Sequence, residues 1–189
     1  MPNATLRKLG TVGAQKLAHA PQQDQLKAAV IEQRLLICVE GRGSFRTSST
    51  LKRFVHQKLH DPALNEIILD MNACTGMDST FMGVLAGLAS HPTCQSTHRF
   101  HLIHLSEKNE QLLKTLGVSR VVTYSREGEE SPALDAHAQM PLDADERTQA
   151  ETSLEAHQKL VELSTENEAE FRSVIELLQQ DLDQMDNRG

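Results

Sequence analysis

Apolar and polar positions follow two different rhythms along this chain, and the changes of rhythm mark its elements. Ala28-Ala29-Val30-Ile31 and Leu35-Leu36-Ile37-Cys38-Val39 are short apolar runs bounded by charge, with Glu32-Gln33-Arg34 as a turn between them. They predict a strand pair over residues 26–33 and 35–40, after which Gly41-Arg42-Gly43-Ser44 breaks the second strand. Leu51, Phe54, Val55 and Leu59 then recur at helical spacing, with Lys52, Arg53, Gln57 and Lys58 on the other face. Thr47, Ser48 and Ser49 are candidate caps for this helix, and Asp61-Pro62 ends it. Residues 67–71 read as a central strand whose unbroken hydrophobicity predicts burial on both faces. Residues 79–91 read as a second helix: Met82, Leu85, Ala86 and Ala89 repeat at three and four, and Pro92 stops it. Gly83, Ala86, Gly87 and Ser90 would let that helix pack closely on the sheet. Residues 99–105 form the next strand, and residues 107–116 a helix capped by Ser106 and closed by Gly117. Val118 and residues 121–124 supply a last short strand. The order β-β-α-β-α-β-α-β implies an α/β fold with a mixed or largely parallel sheet.

The flanks follow other rules. Residues 1–25 are weakly patterned and read as a flexible arm. Residues 125–145 read as a linker, since Glu127-Gly128-Glu129-Glu130-Ser131-Pro132 combines low hydrophobicity with helix breakers. In residues 146–186 apolar residues return at heptad positions: Leu154, Val161, Phe171, Ile175, Leu178, Leu182 and Met185. His157, Ser164 and Glu168 occupy the remaining seam positions, so the stripe weakens in the middle. Thr165-Glu166-Asn167-Glu168 fits a capping box, which leaves open a helical hairpin or one interrupted long helix. Leu160, Leu163 and Val174 widen the stripe, so this extension packs on something: the body, a second copy, or a partner.

Composition narrows the function classes. With no Trp, one Tyr and five Phe in 189 residues, the core must be mostly aliphatic. Residues 1–126 carry 15 Lys and Arg against 9 Asp and Glu, whereas residues 127–189 carry 4 against 17. A mildly basic body with an acidic extension implies two regions with different roles. The body is neither basic nor aromatic enough for nucleic-acid binding. The lack of a long apolar run argues against membrane insertion, and that of an apolar leader against export. Cys38, Cys74 and Cys94 are odd in number and unmatched in spacing, which fits reduced thiols in the cytoplasm.

One stretch carries chemistry. Asp78-Ser79-Thr80 sits where a strand hands over to a helix, and such residues are preferred helix caps. In its setting, Asp70-Met71-Asn72-Ala73-Cys74-Thr75-Gly76-Met77-Asp78-Ser79-Thr80-Phe81-Met82-Gly83, the stretch resembles the core of the STAS family, the sulphate transporter and anti-sigma factor antagonist domain. That family has a strand ending in aspartate, a short loop, then Asp-Ser-Ser-Gly-Leu-Gly opening a helix. The resemblance spans about residues 26–124 and implies a mixed β-sheet with helices packed on one side. It also implies a non-enzymatic switch: in soluble antagonists a partner kinase phosphorylates the first serine, which matches Ser79. The second serine is Thr80, a second candidate acceptor, and the first glycine is Phe81, a departure from the pattern. Asp78, Ser79, Thr80, Phe81 and Met82 are then the expected partner-binding residues, Met82 with a competing core role. The implied partners are an anti-sigma factor or serine kinase and a serine phosphatase. The alternative is a static STAS assembly module that binds mainly through the helical extension, with homodimerisation as one form.

Other chemistries find less support. His101 and His104 fall on opposite faces of a strand, and His56 and His60, four apart on a helix, lack the carboxylate of a His-Glu-x-x-His pattern. No metal and no cofactor are expected. Ser79 lacks the flanking glycines of a hydrolase nucleophile elbow, no motif identifies a base, and no phosphate-binding Gly-x-x-x-x-Gly-Lys loop is present.

Overall fold

The computed structural model describes residues 23–97, 99–135, 138–142 and 145–187. The expected arm lies almost wholly outside these, as does His98. Strand β1 (Gln25–Ile31) turns through Glu32 and Gln33 into β2 (Arg34–Gly43), antiparallel to it. Helix α1 (Phe45–Leu59) leads to β3 (Glu66–Asp70), and β4 (Cys74–Met77) to α2 (Ser79–Ala89). A short α3 (Pro92–Thr97), β5 (Phe100–Ile103), α4 (Glu107–Thr115) and β6 (Thr123–Tyr124) complete the body. The sheet order is β1-β2-β3-β5-β6, parallel after the first pair, and β4 pairs with the far end of β2.

One sheet face is sealed. Leu35, Ile37, Ile67, Leu69, Phe100 and Leu102 lie at 3 % exposure or less in one core with Leu51, Val55, Leu85 and Leu113 of the helices. The opposite face is only partly covered. Ile68, expected to be buried, is half-exposed there, because side chains alternate and only a loop crosses that face. That loop is the expected linker. Glu129, Glu130, Ser131 and Pro132 border a cleft with Leu36, Ile68 and Ile103, and Arg34 pairs with Glu129 at 3.0 Å. Farther on, Met140 N–H donates to the Leu26 carbonyl at 2.8 Å and Gln139 bridges Lys27, so this segment also covers part of the β1 edge.

Several boundaries move from their sequence expectation. Gly41 and Gly43 do not break β2. They carry it past a bulge onto β4, which the sequence reading treats as loop. A Cβ on Gly43 would stand 2.5 Å from the Phe81 ring, so this glycine is the seat of that ring. Helix α1 starts at Phe45, ahead of the expected caps, because Thr47 Oγ1 accepts from Ser44 N–H and the Thr47 and Ser48 hydroxyls donate back to the Ser44 carbonyl. Pro92 stops α2 as expected but opens α3, a short helix the sequence reading did not include. Residues Val118–Arg120 form a 3-10 turn, which shortens the last strand to two residues.

The extension is a hairpin. Helix α5 (Glu146–Leu163) and helix α6 (Thr165–Asp186) meet at Ser164, whose extended backbone (φ −161°, ψ 140°) breaks the helix. The Ser164 hydroxyl caps α6 by accepting from Glu166 N–H, one residue ahead of the expected capping box. Arg147 near the start of α5 pairs with Asp186 at the end of α6, so the helices run antiparallel. The hairpin docks on the body: α5 lies across α1 and α2, on the side away from the sheet.

Candidate functional site

Helix α2 begins at the expected place, and Asp78 makes it begin there. Asp78 Oδ1 accepts from Phe81 N–H at 2.8 Å, capping α2, while Oδ2 accepts from Phe45 N–H at 2.8 Å, the first residue of α1. One carboxylate thereby joins the N-termini of both helices, where the partial positive charge of each favours an anion.

Because Asp78 supplies the cap, the Ser79 hydroxyl is left for another partner. Ser79 Oγ lies 3.0 Å from His157 Nε2 of α5. His157 Nδ1 faces the Ser153 carbonyl at 2.7 Å. A carbonyl only accepts, so Nδ1 carries the proton, and in the neutral ring Nε2 accepts from the Ser79 hydroxyl. His157 is 5 % exposed, and its ring packs on Phe171 of α6 at 5.0 Å between centroids. One turn along, Gly83 faces Ala156: a Cβ there would stand 2.3 Å from the Ala156 carbonyl oxygen. The small residues of α2 expected to approach the sheet thus include one that admits α5 on the other side.

The remaining predicted site residues lie inside. Thr80 and Met82 are 5 % exposed and Phe81 is fully buried against Gly43. Of the five, Asp78 and Ser79 are half-exposed. Phe45, beside Asp78, is 45 % exposed with the Arg46 guanidinium 5.8 Å from its ring centre. Neither Phe45 nor His157 was singled out by sequence. His157 did carry a signal: it is a polar residue at a seam position of an otherwise apolar stripe.

The hairpin is firmly seated. Leu160 is fully buried and Phe171 is 6 % exposed, both in the common core, and such side chains contribute about 1.5–3 kcal/mol each on burial. Asn167 Nδ2 donates to the Leu116 carbonyl at 3.0 Å and to the Leu160 carbonyl at 2.7 Å, tying the hairpin turn to the end of α4. Against this, the Ser79–His157 bond is worth about 0.5–1.5 kcal/mol. Apolar contact therefore holds the hairpin down, and the polar pair sets its register.

A serine facing an imidazole nitrogen is also the start of a nucleophile pair. Here the imidazole's second nitrogen meets a backbone carbonyl rather than a carboxylate, and the groove along α1, α2 and α5, lined by Lys52, His56, Gly87 and Glu155, does not include Ser79 or His157. The arrangement is that of a hydroxyl engaged by the hairpin rather than of an activated nucleophile. Among the described residues, no group of three His, Cys, Asp or Glu side chains is placed to hold a metal ion. His56 and His60 instead meet the His91 ring edge-on.

At the end of β3 the Asp70 carboxylate, 6 % exposed, accepts from Asn72 N–H at 2.9 Å and from His104 Nδ1 at 2.9 Å. Burial pushes this carboxyl up, but hydrogen bonds from Ser131, Asn72 and His104 outweigh it and hold the group below the usual carboxylate range. Burial, with Asp70 and Glu40 nearby, pushes the Cys38 thiol up to about 11.

Residues 25–130 match the STAS domain family. The chain belongs to that family. The STAS domain thus ends within the strap that crosses the open sheet face, and the α5–α6 hairpin lies wholly outside it. No curated protein matches the chain. Solved structures similar to it include a Thermotoga maritima protein described as an anti-sigma factor antagonist, at 19 % identity and a TM-score of 0.45 over 52 % of this chain and 84 % of that one. The anti-sigma factor antagonist SpoIIAA in its unphosphorylated form is similar at 15 % identity and a TM-score of 0.44, over 57 % of this chain and 91 % of that one. The phosphorylated form of the Bacillus cell fate determinant SpoIIAA follows at 16 % identity and a TM-score of 0.42, over 55 % and 91 %. Among the described residues, no helix is long and apolar enough to cross a membrane.

Proposed function

We propose that this STAS protein is a phospho-switchable binding regulator of the anti-sigma factor antagonist kind, acting in the cytoplasm without catalysis of its own. Unphosphorylated, it binds a serine kinase or anti-sigma factor through the start of α2, with Asp78, Ser79 and the exposed Phe45 at the contact. The kinase transfers a phosphoryl group to Ser79: Ser79 Oγ forms a bond to the γ-phosphorus of kinase-bound ATP, ADP leaves, and the hydroxyl proton passes to a base of the kinase. A serine phosphatase hydrolyses the ester. The phosphate brings nearly two negative charges next to Asp78, and the repulsion and desolvation at a docked interface dissolve the complex. The observation that carries this reading is that Asp78, and not Ser79, caps α2, so the Ser79 hydroxyl is not spent on the helix end and meets the His157 ring instead.

The test is tandem mass spectrometry on the chain recovered from its own cells, together with binding of the recovered kinase to wild type, Ser79→Ala and Ser79→Asp. Phosphate on Ser79, with the kinase retained by the first two and lost by the third, supports the reading. An unmodified Ser79 with equal retention by all three overturns it.

The static-assembly reading draws on a different observation. Leu177 on α6 is 61 % exposed, with Val174 and Leu178 beside it on the helix surface. If this face joins two copies, Leu177→Glu will convert a dimer to a monomer in sedimentation while leaving Ser79 chemistry unchanged.

A further inference from the structure

We infer that the α5–α6 hairpin is an autoinhibitory cap over the switch serine: a docked hairpin and a phosphate on Ser79 exclude each other. This rests on the phospho-switch reading above and adds its gate.

The geometry sets the two against each other. Ser79 Oγ sits 3.0 Å from His157 Nε2, so in the rotamer that meets the ring a phosphorus and three oxygens attached to Oγ would occupy the space that the imidazole fills. The imidazole cannot step back. Its other nitrogen is held by the Ser153 carbonyl and its ring rests on Phe171. A small separation of the helices would give up the close Gly83–Ala156 contact, and close-packed interfaces switch between discrete states rather than stretch. The phosphate would also be taken out of water beside the Asp78 carboxylate, against a hairpin in a segment with a large acidic excess. The closed state therefore withholds the hydroxyl from a kinase, and the phosphorylated state holds the hairpin off α2. Reciprocity requires both: whatever the hairpin costs the phosphate, the phosphate costs the hairpin. The hairpin thereby sets the threshold for kinase engagement, since an incoming partner must first displace it.

Two measurements on the full chain test this without a kinase. In the first, Ser79→Cys provides a thiol at the switch, and its alkylation by iodoacetamide is followed by peptide mapping. The native Cys38, Cys74 and Cys94, whose thiols burial pushes up, serve as the slow background. Adding Gly83→Leu, which drives a side chain into α5, should raise labelling at position 79 by about tenfold or more, a coupling of at least ~1.4 kcal/mol. Ala156→Glu makes the same break from the α5 side and carries the test if the first variant does not fold. Labelling at the same rate with the hairpin seated or displaced overturns the gate. In the second, the chain is made with phosphoserine encoded at position 79. Hydrogen exchange in α5 and α6 should rise while β2 and β3 stay protected. Unchanged or greater protection of α5 would mean that His157 clamps the phosphate, and exclusion would be wrong. Should Ser79 prove unmodified in cells, the switch reading fails alone, and the thiol result still decides whether the hairpin covers this position.

Discussion

Gly83 and Ala156 stand so close that a methyl group on the glycine would lie 2.3 Å from the carbonyl oxygen of the alanine, 73 positions away along the chain. This contact fixes how the extension meets the STAS domain. It brings α5 down far enough for His157, the next residue, to reach Ser79.

Gly83→Ala should therefore destabilise the protein by about 1–3 kcal/mol through overpacking, even though alanine gains roughly 1 kcal/mol of helix propensity over glycine. Urea unfolding followed by circular dichroism will read the difference. A raised midpoint would mean that the two helices do not touch at this point.

Asn167 tests the other end of the hairpin. Its side-chain amide donates to two backbone carbonyls, Leu116 and Leu160, and it is 2 % exposed. Asn167→Asp replaces the donor with an acceptor facing two acceptors, and a loss of about 1–3 kcal/mol is expected. The loss should exceed that of Asn167→Leu, which removes the donor without adding charge. If both variants unfold at the wild-type midpoint, the hairpin turn is not anchored on α4.

Acid stability should report on Asp70. Its carboxyl is held below its ordinary value by Ser131, Asn72 and His104. A depressed folded-state pKa contributes stability that is present above the unfolded value of about 4 and is lost as pH falls through the folded value. Asp70→Asn should thus be less stable than wild type at neutral pH, and the gap should close on acidification. Parallel stability curves across the acid range would exclude a role for the ionised carboxylate.

The thiols should be slow in the native state. With Cys38 pushed up to about 11 by burial and its acidic neighbours, its thiolate fraction at mildly alkaline pH falls by about a hundredfold or more relative to a free cysteine near 8.5. Cys74 and Cys94 are raised by burial as well. Disulfide-exchange reagents should titrate three thiols rapidly only after unfolding. A fast native phase would locate one thiol at an opening surface.

Local pattern was enough for much of this architecture. Short apolar runs marked β1, β2, β3 and β5, and helical spacing marked α1, α2 and α4, because each element buries apolar side chains in one core. The Asp-Ser-Thr triplet marked the start of α2, since capping is a contact between near neighbours and leaves a local signature. Gly41 and Gly43 read as breakers because a close approach looks the same in sequence as a turn. Their partners, Asp24 for Gly41 and the Phe81 ring for Gly43, are distant in the chain, so β4 was hidden along with them.

The acidic extension shows where sequence stops. Its heptad stripe established that residues 146–186 are helical and must pack, and its charge set it apart from the body. Which surface it covers depends on a fit between Gly83 and Ala156 and on one polar pair, Ser79 and His157, 78 positions apart along the chain. Periodicity records which face of a helix is apolar; it does not record which other face matches it, since apolar contact is non-directional and many faces qualify. Only the folded chain, in which backbone approach and side-chain donors coincide at one place, selects the start of α2 as the surface that the hairpin covers.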